Sequence, residues 1–106
     1  MYDVKRVREL NDAFRTSLGC HELGTIMFTQ GIAAREDSFH IMRAVQNYDE
    51  FPPDDSEHDF GSIYVGEDLI YFKIDCYDLS LTAGSPDPSD PKVTARVLVI
   101  MMAFEY

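Results

Sequence analysis

The stretch EHDFGSIYVGEDLIYFKIDCYD, residues 57–78, predicts a β-hairpin, and the rest of the fold is built outward from it. Its two arms, HDFGSIYV and LIYFKIDCY, are rich in β-branched and aromatic residues. They flank Gly66, Glu67 and Asp68, and a three-residue connection that contains glycine is typical of hairpins. Closed in this way, the hairpin places Asp59 opposite Asp75.

This register predicts a core face and an outer face, because successive side chains of a strand point to opposite sides. His58 would then lie opposite Cys76 at the end of the core face. A Cys–His pair can form a nucleophile, but a buried thiol beside a hydrogen-bonded histidine is the simpler interpretation. We expect the core face to carry Phe60, Ser62, Tyr64, Ile70, Phe72, Ile74 and Cys76.

The predicted outer face brings the carboxylates of Asp59 and Asp75 together, and directly opposed like charges destabilise a strand pair. Lys73 lies two residues from Asp75 and could lean toward both acids, which is the structural interpretation that we favour. A divalent cation held by both acids, with Glu57 or Asp78 as a further oxygen ligand, would also compensate them. A proton shared for acid–base chemistry is the third interpretation.

Two helices and one strand are predicted before the hairpin. Apolar residues at steps of three and four from Val4 to Leu18 predict a first helix, with Asp3 as its N-cap and Gly19 as its end. The segment GTIMFTQG, residues 24–31, predicts a strand. A second helix is expected to begin near Glu36 or Asp37 and to end before the Pro52–Pro53 pair.

The last segment, DPKVTARVLVIMMAFEY, is ambiguous between strand and helix. Its valines favour a strand, but Asp90 and Pro91 resemble an N-cap followed by the first residue of a helix. Its length also exceeds that of most strands, so the segment is predicted to be a buried helix. The order is then α-β-α-β-β-α. This is an α+β fold, with a small, mainly antiparallel sheet packed against about three helices.

Length and composition predict one packed domain, residues 1–106, in the cytoplasm. The chain has 106 residues, of which 45% are hydrophobic, enough for a single core. No apolar run is long enough to cross a membrane, and the first ten residues are charged where a signal peptide would be apolar. The two cysteines, Cys20 and Cys76, fit reduced thiols in that compartment.

The net charge of −10 is concentrated in one part of the chain. Residues 1–48 carry six acids and six bases, whereas residues 49–90 carry twelve acids and a single base, Lys73. Such a field repels nucleic acid and anionic membranes and attracts basic protein surfaces. Acidity that only keeps the protein soluble is the alternative interpretation.

Several motifs together resemble a known family. The segments LNDAFR (10–15), TQGI (29–32), EHDFG (57–61), KIDCYD (73–78) and GSPDPSDPKVTARVLVIMMAFEY (84–106) are similar to those of small bacterial proteins known only as a domain of unknown function. Phe72 and Cys76 depart from the family, whose members often have Trp and Tyr at those positions. The resemblance implies a common fold and a bacterial setting, often on a plasmid or prophage. It implies no catalytic residues.

These features favour a protein that acts by binding another protein with a basic surface, such as a surface that binds nucleic acid. Closely spaced carboxylates can imitate the charges of a nucleic acid, so the protein could inhibit a host defence system, as anti-CRISPR or anti-restriction inhibitors do. The pattern implies no cofactor, no metal, no direct binding of nucleic acid and no membrane association, and it leaves the oligomeric state open. We expect the partner to be contacted by Asp54, Asp55, Glu57, Asp59, Glu67, Asp68, Asp75 and Asp78.

The alternative is a small metal-dependent or acid–base enzyme. Its site would be the cluster of Glu57, His58, Asp59 and Asp75, with Asp78 nearby. The clustering supports this hypothesis. The absence of a G-x-S-x-G motif, of an i, i+4 histidine pair and of a phosphate-binding glycine loop weakens it.

Overall fold

The computed structural model describes residues 3–17 and 23–106, and within them a four-stranded mixed sheet is packed against three helices. The order of strands across the sheet is β1-β4-β3-β2, with β1 parallel to β4 and the other pairs antiparallel. The helices are α1 (Val4–Thr16), α2 (Gln30–Ala33) and α3 (Ser38–Gln46), and the strands are β1 (Thr25–Phe28), β2 (Phe60–Val65), β3 (Asp68–Tyr77) and β4 (Ala95–Met102).

The α+β class is confirmed, and the number of helices is three, as predicted, but the predicted order of elements is wrong in two places. Helix α2 was not predicted, and its first two residues lie in the segment 24–31 that was predicted to be a strand. The last segment forms β4 where the sequence analysis predicted a helix. Asp90 does cap a helical turn, since its side chain accepts a hydrogen bond from the Lys92 amide, but that 3-10 turn, Pro91–Val93, lasts one turn only. The strand forms because β4 lies inside the sheet, between β1 and β3. A strand in this position can be apolar on both of its faces, which suits a run of β-branched residues.

Helix α1 begins as predicted, with the Asp3 carboxylate accepting from the Arg6 amide at 3.2 Å. Val7 and Phe14 are fully buried, as the apolar spacing predicts. Two polar residues share the buried face: Asn11 is inaccessible and Arg15 is 5% exposed, although arginine side chains are mostly exposed in proteins. The predicted end at Gly19 lies outside the described residues.

The hairpin of β2 and β3 forms, but one residue out of the predicted register. Val65 pairs with Asp68, so only Gly66 and Glu67 form the connection, and Gly66 adopts a left-handed conformation with φ of 63°. A shift of one residue reverses the faces of a strand. Phe60, Ser62 and Tyr64 therefore point outward, and the alternate residues of β2 point into the core.

Gly61 lies where the hairpin touches the core. A Cβ atom at this position would overlap the ring of Phe72 and would lie 3.1 Å from the ring of Tyr48. The close approach across the sheet that a glycine in a strand suggests is thus present. No larger residue fits without movement of an aromatic ring.

A buried polar network joins helix, sheet and loop. Asn11 of α1 accepts a hydrogen bond from Arg96 Nε of β4 at 2.8 Å and donates one to the Glu57 carbonyl at 3.0 Å. Arg96 also donates to the Pro88 carbonyl. Arg96 is only 4% exposed, and its burial lowers its pKa from the usual range. The network joins residues 49–59, which we call the acidic loop, to the core.

Candidate functional site

The helices cover one face of the sheet, and the opposite face carries a groove of about 670 Å³. On the helical face, Phe72, Leu98 and Ile100 belong to the central core. The alternate residues of the same strands, among them Lys73, Val97 and Val99, line the groove. The groove is therefore a direct consequence of the pleat of β3 and β4.

The floor of the groove is apolar, and each end has a wall. Val97 and Val99 of β4 form the floor together with Met27 of β1, whose side chain is 53% exposed. One wall is the last residue, Tyr106, and the other is Leu81, from the turn that follows β3. The result is an accessible apolar surface between two fixed side chains.

The turn that carries Leu81 is held by one carboxylate. Asp78 accepts hydrogen bonds from the Thr82 amide at 3.1 Å and from the Ser80 hydroxyl at 2.9 Å, and these bonds lower the pKa of Asp78. Leu81 adopts φ of 62°, a conformation that is unfavourable for a branched side chain, yet it is 60% exposed. The turn thus presents an apolar side chain at a conformational cost.

The Tyr106 wall is held by the neighbouring residue, Glu105. The Glu105 carboxylate accepts hydrogen bonds from the Thr29 hydroxyl at 2.6 Å, the Gly31 amide at 3.0 Å and the Met102 amide at 2.8 Å. These bonds, the one from Thr29 foremost, lower the pKa of Glu105. The final residues are thereby tied to the start of α2.

Aromatic side chains extend the groove toward the hairpin. The ring of Tyr106 meets those of Phe60 and Tyr71 edge to face, with centroids 5.8 and 5.7 Å apart. Phe60 lies on this outer surface because of the register of β2, whereas the sequence analysis placed it in the core. The outer face of the sheet is therefore more aromatic than predicted.

An ion pair lies at the centre of the groove. Lys73 Nζ is 2.9 Å from Asp75 Oδ2, and the Tyr77 hydroxyl donates to the same oxygen at 3.3 Å. The hydrogen bond to Asp75 raises the pKa of Lys73. Lys73 thus neutralises Asp75, as the structural interpretation of the hairpin predicted for that acid.

Asp59 does not lie opposite Asp75, contrary to prediction, because the register places Val97 beside Asp75 on β4 and Lys73 beside Phe60 on β2. The carboxylate of Asp59 is partly buried and forms no ion pair with any residue in 3–17 or 23–106. Burial raises its pKa, and the negative charges of Glu57, Asp55 and Asp75 raise it further. We call these four acids the acidic end of the sheet.

Replacing Asp59 with asparagine is expected to stabilise the protein at pH 7 by less than about 1 kcal/mol, since the side chain remains partly solvated. Because the carboxyl pKa is raised in the folded protein, the charged form of Asp59 lowers the free energy of unfolding at pH values above that pKa. The carboxyl group has no such effect at a pH at which it is protonated in both the folded and the unfolded protein. The gain should therefore vanish as the pH falls below 3.8. Urea unfolding at several pH values measures it.

Asp54→Asn is the matched control, because Asp54 lies on the same loop but is exposed. It should change the free energy of unfolding little at any pH. A loss of stability in Asp59→Asn at pH 7 would contradict the account of an uncompensated carboxylate.

His58 does not face Cys76, contrary to prediction. Its Nδ1 lies 3.0 Å from Asp12 Oδ1 of α1, and its ring stacks on Phe51 with centroids 4.1 Å apart. Cys76 pairs instead with Arg96 of β4, and burial raises the pKa of its thiol. The residues of the alternative catalytic cluster therefore contact different partners: His58 contacts Asp12, and Asp75 contacts Lys73.

The eight predicted partner-binding acids fall into two groups. Glu67 and Asp68 lie at the hairpin turn, where Asp68 pairs with Arg35 at 2.6 Å. The other six lie toward the opposite end of the hairpin or in its flanking loops. Asp75 lies seven residue steps along extended strand from Asp68, a distance of about 23 Å. The acids do not form one continuous ridge, because the uncharged outer face of β2 lies between the groups.

Two negative findings apply to the described ranges. Within residues 3–17 and 23–106, no group of three or more histidine, cysteine or acidic side chains is arranged to hold a metal ion. No helix in those ranges has the length and apolarity needed to cross a membrane.

The groove was missed by the sequence analysis. A helical interpretation of RVLVIMM hid the alternation that places Val97, Val99 and Met101 on one face. The signal was present: a run of β-branched residues, apolar on both faces, also fits a central strand. Nothing in the local sequence indicated that Leu81 and Tyr106 would border that face.

Comparison with known proteins gives one match. The family model described as "Protein of unknown function (DUF3768)" matches residues 20–105. This agrees with the resemblance to a domain of unknown function, while the plasmid or prophage setting stays a prediction. No curated protein and no solved structure matches the chain.

Proposed function

Because the chain belongs to the family DUF3768, whose description names no activity, we propose a function from its surface chemistry: it acts by binding another protein. The partner presents a basic surface. The observation that carries this proposal is the concentration of acids in residues 49–90, which carry twelve acids and one base.

Along the chain, the bases are frequent in and near the helices, and the acids are concentrated in the hairpin and its flanking loops. Helix α1 carries four bases, whereas residues 49–90 carry twelve acids and only Lys73. Lys73 is already paired with Asp75. The hairpin and its flanking loops therefore carry an excess of negative charge, which draws in a basic surface and speeds its association.

The acidic end supports the same proposal. Asp59 is held partly buried beside three other carboxylates, an arrangement that costs stability. Proteins retain such costs most often where function requires them. An arginine or lysine of the partner would neutralise Asp59 on binding.

Inhibition of a host defence protein is the specific role that fits this chemistry. A nucleic-acid-binding protein has a basic channel, and an acidic protein of a mobile element could occupy it as a mimic of nucleic acid. The catalytic alternative has less support, because Asp75 is bound to Lys73 and His58 to Asp12.

Reversing two exposed charges of the acidic loop, Glu50→Lys with Asp54→Lys, is expected to weaken partner binding about ten-fold. The tagged protein is used to capture a partner from bacterial lysate, and retention is measured against NaCl concentration and against added duplex DNA. Both should displace a partner that is held through a nucleic-acid-binding surface.

The matched control reverses two exposed acids of the helical side, Glu9→Lys with Glu36→Lys. Both double variants have a net charge of −6, from −10 plus four. Equal weakening by the two variants would show only a general charge effect. A captured partner whose binding ignores salt, or no partner at all, would overturn the proposal.

A further inference from the structure

We propose that the groove on the outer face of the sheet is the docking site for a basic amphipathic segment of the partner. This inference rests on the proposed function and adds to it a place and a chemistry. The segment lays apolar side chains on the groove floor and directs lysine or arginine toward the acidic end of the sheet, which adjoins the groove at Asp75.

Most of the accessible apolar surface of the groove belongs to Met27 and Leu81, because Val97 on the floor is only 8% exposed. Met27 and Leu81 are 53% and 60% exposed, and the floor between them is formed by Val97 and Val99. Contiguous exposed apolar surface rimmed by polar groups marks interaction sites in soluble proteins. A volume of about 670 Å³ admits several side chains of a partner.

The conformation of Leu81 is independent support. A leucine at φ of 62° is strained, and the Asp78 carboxylate holds the turn in place by accepting hydrogen bonds from Ser80 and Thr82. Because the Leu81 side chain is exposed, its strained backbone is not compensated by packing in the core. Residues held in this way concentrate at ligand-contacting positions.

Charge selects the occupant. The groove contains the carboxylates of Asp75 and Glu105 against the single ammonium of Lys73, and Asp75 also belongs to the acidic end. An anionic ligand such as a fatty acid is repelled by this field. A second copy of the chain would bring another ten negative charges, so a cationic segment fits best.

Three synthetic peptides of about 18 residues, five helical turns in length, provide the test. The first is a leucine–lysine amphipathic sequence, the second is its leucine–glutamate counterpart, and the third has the composition of the first in an order that is not amphipathic. Binding is measured by fluorescence anisotropy at 0.15 M NaCl, near physiological ionic strength. The first peptide should bind more tightly than either of the others.

Leu81→Gly removes the groove wall and relieves the strained backbone, so the thermal unfolding midpoint should be retained. It should weaken the first peptide at least about ten-fold, since a buried leucine contributes that much to affinity. Leu79→Gly is the matched control: Leu79 lies in the same turn and is 65% exposed, but outside the groove. It should leave the affinity unchanged.

A second pair of variants tests whether a loss of binding comes from the groove or from a change in folding. Met27→Ser on the groove floor should weaken binding, and Phe39→Ser on α3, where Phe39 is 64% exposed, should not. Methyl NMR of the wild-type protein should show the first peptide shifting Met27, Leu81, Val97 and Val99 more than Leu79.

Several results would overturn the inference. Equal binding of the first and third peptides, or of Leu81→Gly and Leu79→Gly, would show that charge alone attracts the peptide. A dimer in light scattering that dissociates in Leu81→Gly would make a second copy the occupant. If a captured partner binds with salt dependence but ignores Leu81→Gly, the groove inference fails while the proposed function stands. If no partner binds with salt dependence, the proposed function itself fails.

Discussion

Replacing Asn11 with leucine is expected to lower the free energy of unfolding by about 3 kcal/mol, although the two side chains are similar in size. Asn11 is inaccessible to solvent and joins Arg96 Nε to the Glu57 carbonyl. Leucine removes the acceptor of the Arg96 Nε hydrogen bond and the donor of the hydrogen bond to the Glu57 carbonyl. A buried polar group that loses its partner bears its full cost of desolvation.

A double-mutant cycle separates this effect from packing. Arg96→Met removes the buried cation, so the double variant should lose less stability than the sum of the two single variants, by about 1 kcal/mol or more. Asn47→Leu, at an exposed position after α3, should stay within about 0.5 kcal/mol of the wild type. The network would be contradicted if the losses of stability in Asn11→Leu and Arg96→Met simply added in the double variant. It would also be contradicted if Asn11→Leu lost less stability than the control Asn47→Leu.

The same variant links the core to the acidic loop. The Glu57 carbonyl is held by Asn11, and His58 of the same loop is held by Asp12. In Asn11→Leu, amide hydrogen exchange should accelerate in residues 54–59 more than in the hairpin turn at Gly66. The acids proposed to contact the partner are therefore positioned by a residue that never touches it.

Replacing Gly61 with alanine is expected to cost about 2 to 3 kcal/mol, an unusual penalty for a single methyl group. The added Cβ overlaps the Phe72 ring, and the Tyr48 ring 3.1 Å away restricts any escape. Phe72 is itself fully buried at the centre of the core, so its displacement disturbs the packing beneath the whole sheet.

Chemical denaturation of Gly61→Ala and Gly84→Ala provides the comparison. Gly84 has open space around the position of a Cβ and no left-handed backbone, so its replacement should be neutral or slightly stabilising. In a Phe72→Leu background, Gly61→Ala should cost clearly less than in the wild type, because the narrower side chain leaves room. An unchanged cost would place the origin of the penalty in the backbone and contradict the steric account.

Local patterns predicted several elements correctly because the physical cause is itself local. Asp3 caps α1 through a neighbouring amide, and the two prolines at 52 and 53 follow the end of α3. The turn at residues 85–90 is also held by a local bond, since Asp87 accepts a hydrogen bond from the Ser89 amide at 3.1 Å. Each of these interactions spans only a few residues.

Local patterns did not predict which residues of the hairpin lie on its outer face. The difference between a two-residue and a three-residue connection is one residue at Gly66, yet it reverses every side chain of β2 relative to β3. Phe60 and Tyr64 thereby move from the predicted core to the surface. Asp59 leaves Asp75, and the predicted pair of opposed carboxylates does not form.

The sequence by itself determined the α+β class, the first and third helices, the hairpin and the concentration of acids in residues 49–90, because these depend on composition, local periodicity and local turn chemistry. The tertiary structure alone decided that residues 95–102 form the central strand, since pairing with β1 and β3 outweighs the helix-start signal of Asp90 and Pro91. It also decided the groove. Leu81, Tyr106 and Val99 are distant in sequence, and only the sheet brings them to one face.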